Sequence, residues 1–127
     1  MTDIPKERST GRINVNSYDA KPHDDTGDFT ISEANVIEEF AGGLVGVGSV
    51  HLILVNELDG TAHFTGMERF LGKLGERSGS FIFQNSGTLK DGELQSEFGY
   101  VESHPPRDRA FQRELEAELD RMRVFLA

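Results

Sequence analysis

The chain has no cysteine and no tryptophan, and its basic residues are few: 13 Lys and Arg stand against 22 Asp and Glu, for a net charge of −9. Without cysteine there is no disulfide framework and no thiolate nucleophile or metal ligand. A charge of this sign repels phosphate, and no basic stripe interrupts it. We therefore expect neither nucleic acid nor a membrane surface as a partner.

Long apolar runs are also missing. No stretch approaches the roughly 20 apolar residues of a membrane-spanning helix, and the opening residues, MTDIPKERSTG, lack the apolar region of a signal peptide. These absences predict a cytoplasmic protein. A length of 127 residues suits one domain with a single hydrophobic core.

What the chain does contain is a succession of strand signals, in which apolar and polar residues alternate or β-branched residues accumulate. Asp-Gly turn signals stand in ELDGT (57–61) and LKDGE (89–93), whereas DAKPHDDTGD (19–28) is typical of a loop. Six strands joined mainly by short turns form an antiparallel meander, which either pairs with a second sheet or closes into a barrel. The predicted strands begin at Arg12 and then cover 29–40, 44–56, 62–73, 80–86 and 93–102.

Two segments carry further information. Residues 44–56 are apolar on both alternating sets, which predicts a strand covered on both faces and thus a subunit contact on its outer side. Residues 109–126 place Phe111, Leu115, Leu119, Met122 and Leu126 on one stripe, which predicts an amphipathic helix. The sequence therefore predicts a disordered N-terminus (1–10), a β-barrel domain (11–102) and a C-terminal helix (103–127) that packs on the barrel or on a partner subunit.

The motifs GLVGVGSVHLILV, G-x-E-R-F-x-G (66–72) and RSGSF (77–81) resemble a bacterial family of domains of unknown function, family 3224, described as having an allene oxide cyclase-like barrel. The similarity runs over about residues 29–102. It implies a small antiparallel up-and-down barrel of calycin type, commonly oligomeric, and no assigned reaction. Family members usually continue into a strand of the kind GSGTGEL, where this chain has its predicted helix.

The candidate site lies in the most aromatic stretch, FTGMERFLGKLGERSGSFIF at residues 64–83. Because aromatic burial dominates core energetics, the alternating face that carries Phe64, Glu68 and Phe70 should point inward, and Arg69 should point outward. A carboxyl group in an apolar interior has a raised pKa, which makes Glu68 a candidate general acid or base.

We predict that Glu68 shares an apolar cavity with Asn85 and Tyr100, which could orient a carbonyl group or share a proton. The alternative is structural: Glu68 pairs with Arg77 or Arg69, Tyr100 is a core residue with its hydroxyl at the rim, and Asn85 begins a turn. The ligand-lining residues that we predict are Phe64, Phe70, Phe81, Phe83, Asn85 and Phe98.

Other chemistries find little support. No pair among His23, His51, His63 and His104 has metal-ligand spacing with a carboxylate, so we expect no metal. GLVGVGS is not followed by Lys-Ser or Lys-Thr, and no Gly-x-Ser-x-Gly elbow occurs, so nucleotide binding and serine hydrolysis are not indicated. We expect no cofactor.

Three functions remain, in order of preference. The first is a barrel that binds a small hydrophobic molecule without catalysis. The second is a cyclase or isomerase that acts on a small hydrophobic metabolite by proton transfer. The third is an oligomeric interaction module with a solidly packed barrel. In each case we expect a homo-oligomer, either a dimer or a trimer.

Overall fold

The computed structural model of the protein describes residues 2–4, 11–25 and 27–126. Nearly every strand begins or ends beside a Gly-containing turn, as the turn signals predict. The elements in these residues are β1 (Thr2–Ile4), β2 (Arg12–Asp25), β3 (Phe29–Ala41), β4 (Leu44–Glu57), β5 (Ala62–Leu74), β6 (Arg77–Lys90), β7 (Glu93–His104), α1 (Arg109–Arg121) and β8 (Arg123–Leu126).

The strands form one sheet in the order β1-β8-β2-β3-β4-β5-β6-β7. Every neighbouring pair is antiparallel except β2 and β8, which are parallel. Within the described residues no ladder joins β7 to β1, so the curled sheet stays open as a half-barrel. The helix α1 packs against β7. The prediction of a mainly β, antiparallel meander with a C-terminal helix is confirmed.

The inner face of the half-barrel holds two apolar clusters at opposite ends. The helix cluster joins the buried stripe of α1 to Phe40 of β3, Phe70 of β5 and Phe81 of β6. The open-end cluster is aliphatic, and its buried members are Ala34, Val36, Val50, Leu52 and Leu54. Because the helix covers only one end of the sheet, the two ends have different environments, and this difference determines where a ligand fits.

The outer face of β4 is not covered in this chain. Val45, Val47 and Ile53 are 43 to 48% exposed, because the helix and the curled strands enclose only the inner side of the sheet. The predicted subunit contact on the outer side of β4 therefore stays a prediction. A continuous apolar run does not by itself indicate what covers its second face.

The predicted loop 19–28 is also corrected. β2 continues through Asp25, and only residues 27 and 28 of that segment are bends. The ladder with β3 persists through this segment, with a bulge between Pro22 and Asp24 that leaves residue 23 without a register partner. Of the predicted disordered segment 1–10, the structure describes Thr2–Ile4, which form β1; residues 1 and 5–10 lie outside the described residues.

The predicted helix 109–126 ends earlier, at Arg121. Asp108 caps its start by accepting a hydrogen bond from the backbone N–H of Phe111 (2.9 Å). After the helix, the N–H of Arg123 donates to the carbonyl of Gly11 (3.0 Å), and β8 pairs with β2. Val124 and Phe125 favour a strand, and the free edge of β2 supplies the ladder that overrides a continued helical stripe.

Candidate functional site

A cavity of about 390 Å³ opens on the inner face, at the end of the half-barrel away from α1. Strands β2 to β8 all contribute to its wall, since each presents one alternating set of side chains inward. The lining is mainly aliphatic and aromatic, and the lining residues that carry polar groups are Tyr18, Glu38, Asn85 and Ser96. The apolar part of the wall includes Val36, Leu52, Leu54, Phe64, Leu94 and Phe98.

A pair of glutamates lies where the cavity meets the helix cluster. Glu68 of β5 has no exposed surface, and Glu38 of β3 is 9% exposed. Glu38 lines the cavity, whereas Glu68 lies behind it, among residues that the cavity does not reach. Both carboxyl groups are on inward positions because their strands alternate strictly, with Val36 and Phe40 flanking Glu38 on the same face.

Gly48 allows the two carboxyl groups to meet across β4. It pairs with Glu38 on one side and with Phe70, two residues from Glu68, on the other. A Cβ at this position would lie 2.0 Å from Oε2 of Glu68. The carboxyl group of Glu68 thus occupies the space that a side chain at position 48 would fill. This brings the Glu68 carboxyl group of β5 close to Glu38 of β3.

The environment of the pair raises the pKa of both groups. Burial raises the pKa of Glu68 well above its usual range, and the neighbouring charge of Glu38 raises it further. Burial also raises the pKa of Glu38, although a side-chain interaction with Glu68 lowers it in part. Neither Glu68 oxygen has a regular hydrogen-bond partner among the described residues. Of the two carboxyl groups, Glu68 therefore has the more strongly raised pKa.

Asn85 of β6 adds a second polar group to the cavity wall. It is 9% exposed, and its Oδ1 has no hydrogen-bond donor in the described part of the chain. It pairs with Gly66 of β5 and Phe98 of β7 in the middle of the sheet. Buried amide groups are normally satisfied, so an incompletely bonded one at a cavity indicates a position for a ligand or for water.

The residues predicted to line a ligand site separate into two groups. Phe64, Asn85 and Phe98 line the cavity. Phe70, Phe81 and Phe83 are fully buried in the helix cluster, where Phe70 stacks on Phe81 with ring centroids 5.7 Å apart.

Tyr100 also lies away from the cavity. Its hydroxyl is 2.6 Å from Oγ of Ser103, and its backbone N–H donates to Glu116 of the helix (2.7 Å). The structure therefore brings Glu68 and Asn85 into one region and leaves Tyr100 on the helix side. This position agrees with the structural interpretation of the tyrosine.

The alternative partners of Glu68 are excluded. Arg69 is exposed on the opposite face of β5, and Arg77 pairs with Glu114 of the helix while its guanidinium lies over the Phe111 ring. The partner of Glu68 is another acid, Glu38, which sequence reasoning missed. The alternation in β3 could have revealed Glu38, because the inward set of that strand is Ser32, Ala34, Val36, Glu38 and Phe40.

His51 of β4 and His63 of β5 lie exposed on the outer face of the sheet. Nε2 of His63 lies 2.5 Å from Glu57, and Nδ1 of His51 lies 2.8 Å from Oδ1 of Asn35. Among the described residues, no group of three or more His, Asp or Glu side chains is placed to hold a metal ion. The described helix is also neither long enough nor apolar enough to cross a bilayer.

Comparison with known proteins identifies a family but no reaction. No curated protein matches the chain. A family model described as "Protein of unknown function (DUF3224)" matches residues 9–104. The match covers β2 to β7, including both glutamates and Asn85, and ends before α1 begins. The chain therefore belongs to the DUF3224 family of proteins of unknown function.

Proposed function

We propose that the protein binds one small, mainly apolar molecule in the cavity at the open end of the half-barrel. The observation that carries this proposal is a 390 Å³ space lined mainly by apolar side chains, with the carboxyl group of Glu38 in its wall. Its size lies within the range of small-molecule pockets. A solidly packed barrel is less compatible with it, because the helix fills only the other end.

The polar groups restrict the ligand class. Glu38 presents a carboxyl group to the cavity, and the whole chain carries a net charge of −9. An acidic ligand would meet like charge in a poorly solvated space, which is costly. The preferred ligand is therefore neutral or cationic, with a hydrogen-bond donor directed at Glu38 and an apolar body against Leu52 and Phe64.

Filling the cavity should abolish binding without unfolding the chain. Leu94 is half-buried in the wall, so a Leu94→Trp side chain can enter the space with little disturbance of the sheet. We expect Leu94→Trp to weaken binding of the neutral fluorescent amine N-phenyl-1-naphthylamine by about tenfold or more, equivalent to about 1.4 kcal/mol. The measurement is a fluorescence titration of the purified protein.

Leu58→Trp is the matched control, because Leu58 is 79% exposed in the turn between β4 and β5. This variant should bind the dye like the unchanged chain. In competition with the dye, decylamine should displace it at lower concentration than decanoate. Equal dye binding by the two tryptophan variants would contradict the proposed site, and preferential displacement by decanoate would contradict the ligand class.

A further inference from the structure

We propose that Glu38 is a general base that removes a proton from a carbon atom of the molecule bound in the cavity, with Glu68 as its positioning residue. This inference rests on the proposed ligand site and adds an activity to it. Glu38 is the acidic side chain that both lines the cavity and contacts Glu68. The activity would be an isomerisation, in which a proton leaves one carbon and returns at another.

The geometry separates the roles of the two acids. Glu68 is completely buried, and Gly48 directs its carboxyl group toward Glu38 rather than into the cavity. A single proton held on Glu68 leaves Glu38 ionised and oriented, facing the ligand. Apolar walls also remove the water that would otherwise solvate the carboxylate and weaken it as a base.

Asn85 supplies the complementary group. It lines the same cavity, and its carboxamide, when turned so that the N–H groups face the ligand, would donate to a carbonyl oxygen that becomes negative when the adjacent carbon loses its proton. No oxidant, reductant or second substrate is needed. The electron pair of the broken C–H bond moves into the new double bond toward the carbonyl, and Glu38 holds the proton until it is returned.

A generic substrate tests the base directly. In 5-nitrobenzisoxazole, removal of the C3 proton drives the C–H electron pair into a C≡N bond, the N–O bond breaks, and coloured 2-cyano-4-nitrophenolate is released. The captured proton then passes from Glu38 to water. We expect turnover by the wild-type protein above an equal concentration of acetate, and Glu38→Gln to lower kcat/KM by about 100-fold.

Three variants make the result specific. Glu39→Gln changes the next residue, which is exposed on the outer face, and should leave turnover unchanged. Leu94→Trp keeps Glu38 but fills the cavity, and should also abolish turnover. Glu68→Gln should keep a base in place yet shift the pH profile, because the pair can no longer exchange a proton. The other titratable group facing the cavity in the described residues is Tyr18 of β2.

The outcomes distinguish the two proposals. If the wild-type protein binds the nitrobenzisoxazole, as seen by its competition with the fluorescent amine, but shows no turnover above acetate, the base is overturned and the ligand site stands. Equal turnover by Glu38→Gln and Glu39→Gln also overturns the assignment of Glu38 as the base. An unchanged pH profile in Glu68→Gln overturns the positioning role of Glu68. If nothing binds in the cavity, both proposals fail.

A second, independent observation concerns the outer face of β3, β4 and β5, which we call the outer wall. We infer that the outer wall is the interface between two copies of this chain. Its centre is apolar: Val45 and Val47 of β4 lie beside Leu71 of β5, and these three side chains are 43 to 56% exposed. Exposed apolar groups of this kind, rimmed by charges, mark interaction sites.

The charges of the outer wall indicate a second copy as the partner. Glu33 and Glu39 lie on β3, to one side of the apolar centre, and Arg69 and Lys73 lie on β5, to the other side. A two-fold axis along β4 would stack the partner's β5 over this chain's β3. An axis across the strands would instead stack acidic β3 on acidic β3, which like charges oppose.

The strand register makes the match specific. Glu39 is level with Val47 of β4, whereas Arg69 is level with Ser49 and Lys73 with Val45. In the two-fold arrangement, Glu39 of each copy therefore lies between the positions of Arg69 and Lys73 on the other copy. Each of these is offset from Glu39 by two residues, or about 7 Å, along the strand. Among the described residues none of these three side chains has an ion-pair partner.

Charge reversal tests the interface. Sedimentation velocity over a concentration series should show a dimer, and Glu39→Lys should raise its dissociation constant by about tenfold or more. The triple variant Glu39→Lys, Arg69→Glu, Lys73→Glu should restore association. Glu97→Lys makes the same charge change on exposed β7 and should have no effect. A monomeric wild-type protein, or a dimer that is indifferent to Glu39→Lys, would overturn the interface.

Discussion

Replacing Phe81 with alanine should lower the free energy of unfolding by about 3–5 kcal/mol. Phe81 is completely buried between the sheet and the helix, stacked on Phe70 and edge-to-face with Phe111 at 5.2 Å. Removing the ring leaves a cavity that the surrounding strands cannot close. Since small domains are stable by only about 5–15 kcal/mol, this single change should bring the chain close to unfolding.

The measurement is chemical denaturation followed by circular dichroism, with Phe29→Ala as the matched control. Phe29 starts β3 and is 39% exposed, so the same truncation there should cost about 1 kcal/mol or less. Hydrogen exchange should also show faster opening of α1 in Phe81→Ala, because Phe81 contacts the helix directly. Similar losses for the two variants would contradict the division of the interior into a packed end and an open end.

This division explains which parts of the fold were predictable from sequence. Alternation alone assigned the correct faces of β5 and β6, because a strand has period two and the aromatic set had to be buried. The helix stripe Phe111, Leu115 and Leu119 is likewise buried as predicted. Period and composition are local properties, and they were sufficient wherever the environment was uniform along an element.

The errors arose where distant segments determine the structure. Val124 continues the apolar character of the helical stripe, yet it joins β8, because the edge of β2 is available only in the folded chain. Residues 19–25 have loop composition but are held in β2 by the ladder to β3. A pairing partner on another strand has no signature in the segment's own composition, and so it overrides local propensity.

The candidate site was only half predictable for the same reason. Glu68 was recognisable as an inward acid among phenylalanines. Its partner could not be predicted, because it depended on which strand pairs with the far edge of β4, beyond Gly48. Phe70, Phe81 and Phe83 were indistinguishable from Phe64 and Phe98 by alternation, although the helix covers the first three and leaves the others at the cavity. Face assignment gives the inner side of a strand but not the position along it that a ligand can reach.

The second large effect concerns the pH dependence of stability, which Glu68→Gln should reduce. For an acid whose pKa is raised on folding, the folded chain holds the proton more tightly than the unfolded chain. The free energy of unfolding therefore falls as the pH rises from the ordinary glutamate pKa through the raised one. Burial and the charge of Glu38 raise the pKa of Glu68 in this way. Its contribution is thus most favourable in acid and is lost toward neutral and alkaline pH.

Glutamine keeps the shape of the side chain and offers Glu38 an N–H donor without a proton to lose. We expect Glu68→Gln to match the wild-type stability near pH 4 and to exceed it at pH 8 by about 1–3 kcal/mol, the order of the penalty for an unsatisfied buried polar group. Denaturation curves from pH 4 to 9 measure the difference directly. Glu97→Gln, an exposed change, should show no such divergence.

A Glu68→Gln chain that is less stable than the wild type at pH 8 would contradict this account, since it would mean that the ionised carboxylate itself stabilises the fold. That reversal requires a positive partner, and the described residues place none beside Glu68: Arg77 is engaged with Glu114, and Arg69 is on the other face. Stability sacrificed at neutral pH is the expected cost of keeping two acids together inside an apolar wall. A packed hydrophobic residue at position 68 would avoid that cost, which is why we link the pair to the proposed ligand chemistry.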